Sequence, residues 1–164
     1  IGGRVMKAIT LWQPWASLLA CGAKQYETRS WATSYRGPIA IHAAKKPFDD
    51  AELFSDKELY QFAIALELPS IYSFDSLPYG SIIATAELID CHEIVRYGGR
   101  GMSSQGPGWL ETEDGLYIPT DQEKLFGNWT HGRYAWEFKN MIILQEPISV
   151  KGKQGLWNWE GTNE

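Results

Sequence analysis

Apolar residues recur along the chain at two periods, and the period changes mark the elements. Residues 6–11 place Ile9 and Leu11 on one face and predict a first strand. Pro14 suits the first turn of a helix, where a missing N–H costs nothing, and Trp15, Leu18 and Leu19 follow at helical spacing. Gly22 predicts the stop, as a left-handed C-cap. Residues 26–31 alternate, which puts Glu27, Arg29 and Trp31 on one face of a second strand and Tyr26, Thr28 and Ser30 on the other. Arg36-Gly37-Pro38 is a turn, and residues 39–44 form the next strand, ended by Lys45-Lys46-Pro47.

Leu53, Phe54, Leu59, Phe62, Ala63 and Leu66 predict one or two amphipathic helices over residues 51–68, with Asp49 and Asp50 as caps. Residues 81–95 read as a long apolar strand with Glu87 and Asp90 embedded in it. Residues 98–115 are rich in glycine and polar side chains and read as a mobile loop. A short strand at 116–118 and a helical turn capped by Thr120 or Asp121 follow, with Glu123 and Lys124 as ordinary helix surface. Residues 133–144 form a strand pair or one long strand, broken by Pro147, before the closing Leu156-Trp157-Asn158-Trp159. Many strands and few helices predict a single α+β, barrel-like domain over residues 6–160, without repeats, linkers or parallel β-α-β units.

Composition narrows the function classes. The 164 residues carry 15 basic and 20 acidic side chains, a net charge of −5, which disfavours coating duplex nucleic acid by bulk charge but leaves room for a local basic pocket. No apolar run has the length of a membrane span, and neither a membrane partner nor a signal peptide is expected. Residues 1–5, which lack an initiating Met, read as a cloning remnant, with Met6 as the natural start. Cys21 and Cys91 read as reduced thiols, pointing to a cytoplasmic protein. His42, His92 and His131 are scattered without metal-site spacing, so no metal and no cofactor is expected. Eight Trp residues raise the aromatic fraction to 13%, rings that serve a core or stack on bases.

The densest chemistry lies in Gly22-Ala23-Lys24-Gln25-Tyr26-Glu27-Thr28-Arg29, with two cations and a carboxylate within eight residues. A corner entering the second strand aims ammonium, carboxylate and guanidinium at one mouth. Guanidinium grips phosphate or carboxylate as a fork, and lysine acts as a point charge or, once desolvated, a base. From spacing alone the plainer reading, a salt bridge at a barrel rim, comes first, because paired surface charges are common and weak.

Gly22, Lys24, Glu27 and Arg29 fill all four positions of GxKxxExR, and with it the sequence resembles the ASCH domain family of the PUA-like superfamily. Gln13-Pro14-Trp15-Ala16-Ser17-Leu18-Leu19, Glu87-Leu88-Ile89-Asp90-Cys91, Gly132-Arg133-Tyr134-Ala135-Trp136 and Gly152-Lys153-Gln154-Gly155-Leu156-Trp157 extend the likeness over nearly all of residues 6–159. The resemblance implies a PUA-like mixed β-barrel flanked by short helices, a central cleft lined by the signature, and RNA or nucleic-acid binding. It also implies a possible hydrolase. Some small family members remove the acetyl group of N4-acetylcytidine with a lysine, a threonine and a glutamate, and another is a ribonuclease.

Residue by residue, Lys24 matches that lysine, Glu27 stands where the threonine nucleophile falls, and Glu87 lies in about the strand of the catalytic glutamate. Thr28 is adjacent but points to the opposite face by alternation. Two functions therefore stand. One is a module that binds RNA, a single-stranded end or a single nucleotide through Lys24, Glu27, Arg29, Trp15, Trp31, Lys45 and Arg133, the modified nucleoside being the substrate of the alternative. The other is a hydrolase in which Lys24, Glu27 and Glu87 move protons. His42 reads as a satisfied barrel histidine or a proton shuttle.

Overall fold

The computed structural model describes residues 5–161 except Gly99, Met102 and Ser104, with Asp50 described by its backbone alone. Of the proposed remnant, residues 1–4 thus lie outside the described residues. Among the described residues, besides two short 3-10 helices at Asp50–Leu53 and Phe74–Ser76, eight strands and three α-helices follow in the order β1 (Val5–Leu11), α1 (Trp15–Ala20), β2 (Tyr26–Arg29), β3 (Gly37–Ala43), α2 (Asp56–Ala65), β4 (Ser81–Glu93), β5 (Leu110–Thr112), β6 (Gly115–Tyr117), α3 (Asp121–Phe126), β7 (Tyr134–Ser149) and β8 (Leu156–Glu160). The class is α+β, with mostly strands.

The large sheet has the order β2-β7-β4-β3-β1-β8, and β5-β6 is a separate hairpin. It is mixed: β1 pairs parallel with β3, while β8 pairs antiparallel with β1 and β2 with β7. Two expectations are corrected here. The sheet is not closed into a barrel, because β2 and β8 stand at opposite ends of the order and closure needs them paired. One parallel pair does occur, β1 with β3, reached through α1 and β2. Alternation tells which way a strand's side chains point and leaves its edge partners open, so neither feature is written in the pattern.

Pro147, expected to end the last long strand, lies inside β7. The β2 register covers only Tyr134 to Glu137, so that end of β7 has no β2 partner to receive a donor. Proline is tolerated on such an edge. Asn140 sits at φ 54°, a left-handed position that asparagine tolerates, and marks a break within the strand. The helix cap also moved: Ser55, rather than Asp49 or Asp50, caps α2 through a reciprocal box with Glu58. The loop reading of 98–115 gives way at its end to the β5-β6 hairpin.

The chain divides into two compact units, one of residues 1–23, 38–87 and 140–164, the other of residues 24–37 and 88–139. In the first, Ala8, Ala40, Ile82, Trp157 and Trp159 form a core backed by Leu144, Ile148 and Val150. Phe48 there meets Phe54, Phe62 and Phe74 with ring centroids 4.9 to 6.5 Å apart. In the second, Ile94, Leu110, Trp129 and Ala135 pack with Tyr26 and Tyr117.

His42 is a buried histidine of the first core with both ring nitrogens engaged. Nε2 lies 2.7 Å from the Val150 carbonyl and Nδ1 lies 3.2 Å from Thr10 Oγ1. The indole N–H of Trp157 donates to the same hydroxyl at 3.1 Å. A consistent chain of donors runs from Trp157 through Thr10 to Nδ1, with Nε2–H donating to Val150. Burial lowers the pKa of the ring, against a smaller opposing effect of the Val150 bond, and so favours the neutral form that this chain of donors fits.

Because the folded state disfavours the proton, the stability that His42 contributes is full above the unfolded value of about 6.5 and is lost as pH falls through that value towards the lower folded one. Chemical denaturation across pH 5 to 8 is expected to show that slope, and His42→Gln to flatten it. A Cβ on Gly152 would stand 2.6 Å from the His42 ring and 2.7 Å from Thr10 Oγ1. Gly152→Ala is expected to lower unfolding free energy by about 1–3 kcal/mol in urea titration, because a packed ring must shift.

Candidate functional site

The signature residues of the second unit do converge. Lys24 Nζ lies 3.5 Å from Glu27 Oε2, and Arg29 Nε lies 3.2 Å from Glu27 Oε1. Glu27 and Arg29 are two apart on β2, so alternation stacks them on one face, and Lys24 reaches the carboxylate from the segment before the strand. The three side chains do not share an open mouth. Lys24 is 3% exposed and Glu27 8%, whereas the Arg29 side chain retains 23%. The reading of a solvated surface salt bridge therefore fails for Lys24 and Glu27. Arg29 is the member that solvent or a ligand meets.

Lys24 also donates to the Phe126 carbonyl at the end of α3. That carbonyl is one of the acceptors a helix end leaves over, and an ammonium there is favourably placed. Gly127 follows, and its lack of a side chain is a matter of space: a Cβ would lie 3.3 Å from Lys24 Nζ and 3.2 Å from Thr28 Oγ1. Thr28 thus flanks the same glycine as Lys24, which strand alternation alone did not lead one to expect. Its hydroxyl accepts from the Asn128 amide at 2.9 Å and so anchors the loop after α3.

Glu123 was missed. Read as helix surface, it is 3% exposed. Thr120-x-x-Glu123 has the form of a capping box, and Thr120 Oγ1 does accept from the Glu123 amide at 3.2 Å. The carboxylate, however, turns inward and accepts from the Gln25 amide. Burial raises its pKa, opposed by the Gln25 bond, the charge of Lys24 and the Tyr26 amide. The cap explains a glutamate at that position by itself, which hid its second use from the sequence. One oxygen of each buried carboxylate, Glu27 Oε2 and Glu123 Oε2, has no hydrogen-bond partner among the described residues. Two cations thus face two carboxylates whose acceptor capacity is only partly used.

Aromatic rings wall this region. Tyr26 lies 5.0 Å from Tyr117 and 5.7 Å from Trp129 between centroids, and the Trp129 indole donates to the Glu123 carbonyl at 2.9 Å. Burial first, then the charge of Glu137, pushes the Tyr26 phenol up to about 12, so it stays neutral. Trp31 stands edge-on to fully buried Trp136 at 4.8 Å, and its carbonyl accepts from the Trp136 indole. Arg133 donates to the carbonyls of Thr28 and Asn128, which ties β7 to β2 and leaves its guanidinium with backbone duties.

The remaining sequence candidates lie in the first unit. Trp15 is half-buried against Phe48 and Phe54, a packing role. Lys45 is exposed, and Glu87 accepts from Asn140 Nδ2 at 3.3 Å. Trp12 is 54% exposed with the Lys46 ammonium 4.3 Å above its ring.

The mixed α+β architecture, mostly strands, and the family match below are together consistent with a PUA-like fold. The chain belongs to the ASCH domain family, whose model matches residues 9–151. It is also similar to activating signal cointegrator 1 of Homo sapiens and of Mus musculus, 35% identical in each case over 85 residues. The match takes in 51% of this chain and 14% of those proteins, so the chain spans a small part of the curated relatives it matches. Among the described residues no helix is long and apolar enough to cross a membrane.

The ion relay makes a stability prediction. Glu27→Gln leaves the Lys24 ammonium buried with its anionic partner gone, and breaking a buried pair in this way costs about 3–5 kcal/mol. Thermal and urea unfolding are expected to show a loss of that order, and a smaller loss in Lys24→Met/Glu27→Gln than the two single losses added together.

Proposed function

We propose that this chain is a nucleic-acid-binding module which takes a single-stranded segment, an RNA end or a single nucleotide at the Lys24–Glu27–Arg29 relay. The observation that carries this reading is the division of labour in the relay. A buried carboxylate, charge-balanced by a buried ammonium, holds a partly exposed guanidinium in place. A guanidinium so held loses little freedom on gripping a phosphate. The net charge of −5 fits a small, local grip on one or two phosphates rather than a long duplex track.

The experiment is a binding titration of the whole chain with a short single-stranded RNA over a range of salt. Arg29→Ala is expected to weaken binding and to reduce the slope of log K against log salt by about 1. An unchanged affinity and slope in Arg29→Ala would overturn the reading. Incubation with N4-acetylcytidine and with the same RNA tests the hydrolase alternative. Turnover abolished by Lys24→Ala would replace the binding module with an enzyme.

A further inference from the structure

The second unit carries another cluster, which the relay does not use. Asp90 and His92 are two apart on β4, and Glu137 stands on the neighbouring strand β7. Their donor atoms lie within 4.8 Å of one another. His92 Nε2 is 2.6 Å from Glu137 Oε2 and 3.8 Å from Asp90 Oδ2. We propose that Asp90, His92 and Glu137 bind a divalent transition-metal ion of the zinc class.

Four features favour an ion over an ion pair alone. Donors arranged around a zinc-class ion at about 2.0–2.2 Å stand roughly 3–4 Å from one another; these three lie within 4.8 Å, and the His92–Glu137 pair, hydrogen-bonded at 2.6 Å, opens by about 1 Å to admit the ion. The carboxylate of Asp90 is already turned for the task. Its Oδ1 accepts from the Cys91 amide at 2.8 Å and from Arg36 at 3.4 Å, which leaves Oδ2 towards the imidazole. Such outer bonds are how proteins orient metal ligands. The His92 ring is backed by Tyr26, 6.4 Å away and edge-on, and Tyr26 is itself held by Tyr117 and Trp129. The ligand side chains are graded from 12% exposed at His92 through 33% at Glu137 to 50% at Asp90. An ion there has a path from solvent and room for water in its remaining positions. Binding replaces the His92–Glu137 hydrogen bond with a bond from each side chain to the ion. One nitrogen and two oxygens select zinc, cobalt or manganese over magnesium, which prefers oxygen alone.

The test uses the whole chain, freed of metal by a chelator and dialysed, then titrated with Zn2+ calorimetrically. One ion per chain is expected, undisturbed by a tenfold excess of Mg2+. His92→Gln, and separately Glu137→Gln, should weaken binding at least about tenfold, because each removes one donor of three. Glu93→Gln, at an exposed neighbour, should leave it unchanged. Co2+ in place of Zn2+ should give weak d–d absorption without a thiolate charge-transfer band. Absence of saturable binding below millimolar Zn2+ overturns the proposal. Equal affinity in wild type and both ligand variants overturns it too, as does a thiolate band that assigns the ion to Cys91 or Cys21.

Discussion

The second unit is organised by one buried ammonium. Lys24 cannot be withdrawn from water without compensation, and it finds two kinds: a carbonyl left over at the end of α3 and the carboxylate of Glu27. Each choice fixes something else. Taking the Phe126 carbonyl requires that the chain beyond it come close, so the next residue is a glycine with no Cβ to strike Nζ or Thr28. Taking Glu27 leaves the other oxygen of that carboxylate for Arg29, whose Nε stands 3.2 Å from it while the side chain keeps 23% of its exposure.

Charge balance around this ammonium is what a small recognition site in an acidic protein needs. Glu123, raised in pKa by burial, adds a second carboxylate within the field of Lys24. Its protonation state sets whether the relay as a whole is neutral or positive. The region thus carries acceptors inside and a cation at its rim, with neutral Tyr26 and the indoles of Trp129 and Trp136 as its walls. Nothing in this arrangement depends on the net charge of the chain, which is why an acidic pI and a partly exposed arginine at this relay coexist.

Much of this was legible in the residues. The strands at 6–11 and 39–44, the helix begun by Pro14 and stopped near Gly22, and the α3 cap at Thr120 all follow from period and cap chemistry. The GxKxxExR spacing brings Lys24, Glu27 and Arg29 together because strand alternation and a short lead-in leave few other arrangements. What escaped was of two kinds. Sheet closure and the parallel β1–β3 pair depend on which edges meet, and hydrophobic pattern is blind to that. Glu123 and the Asp90–His92–Glu137 cluster depend on long-range convergence: 98 residues separate Gln25 from Glu123 and 45 separate His92 from Glu137. In both cases a local explanation, a helix cap or an alternating strand, already accounted for the residue.

The central claim is that a buried carboxylate presents Arg29 to a nucleic-acid ligand. Its most direct test is a 15N–1H NMR titration with a short single-stranded RNA that follows the Arg29 Nε–H signal. The account predicts a saturable shift there, together with shifts at the Glu27 and Thr28 amides, while exposed Lys57 on α2 stays put. RNA binding that shifts other residues and leaves the Arg29 side chain and β2 unmoved would contradict it.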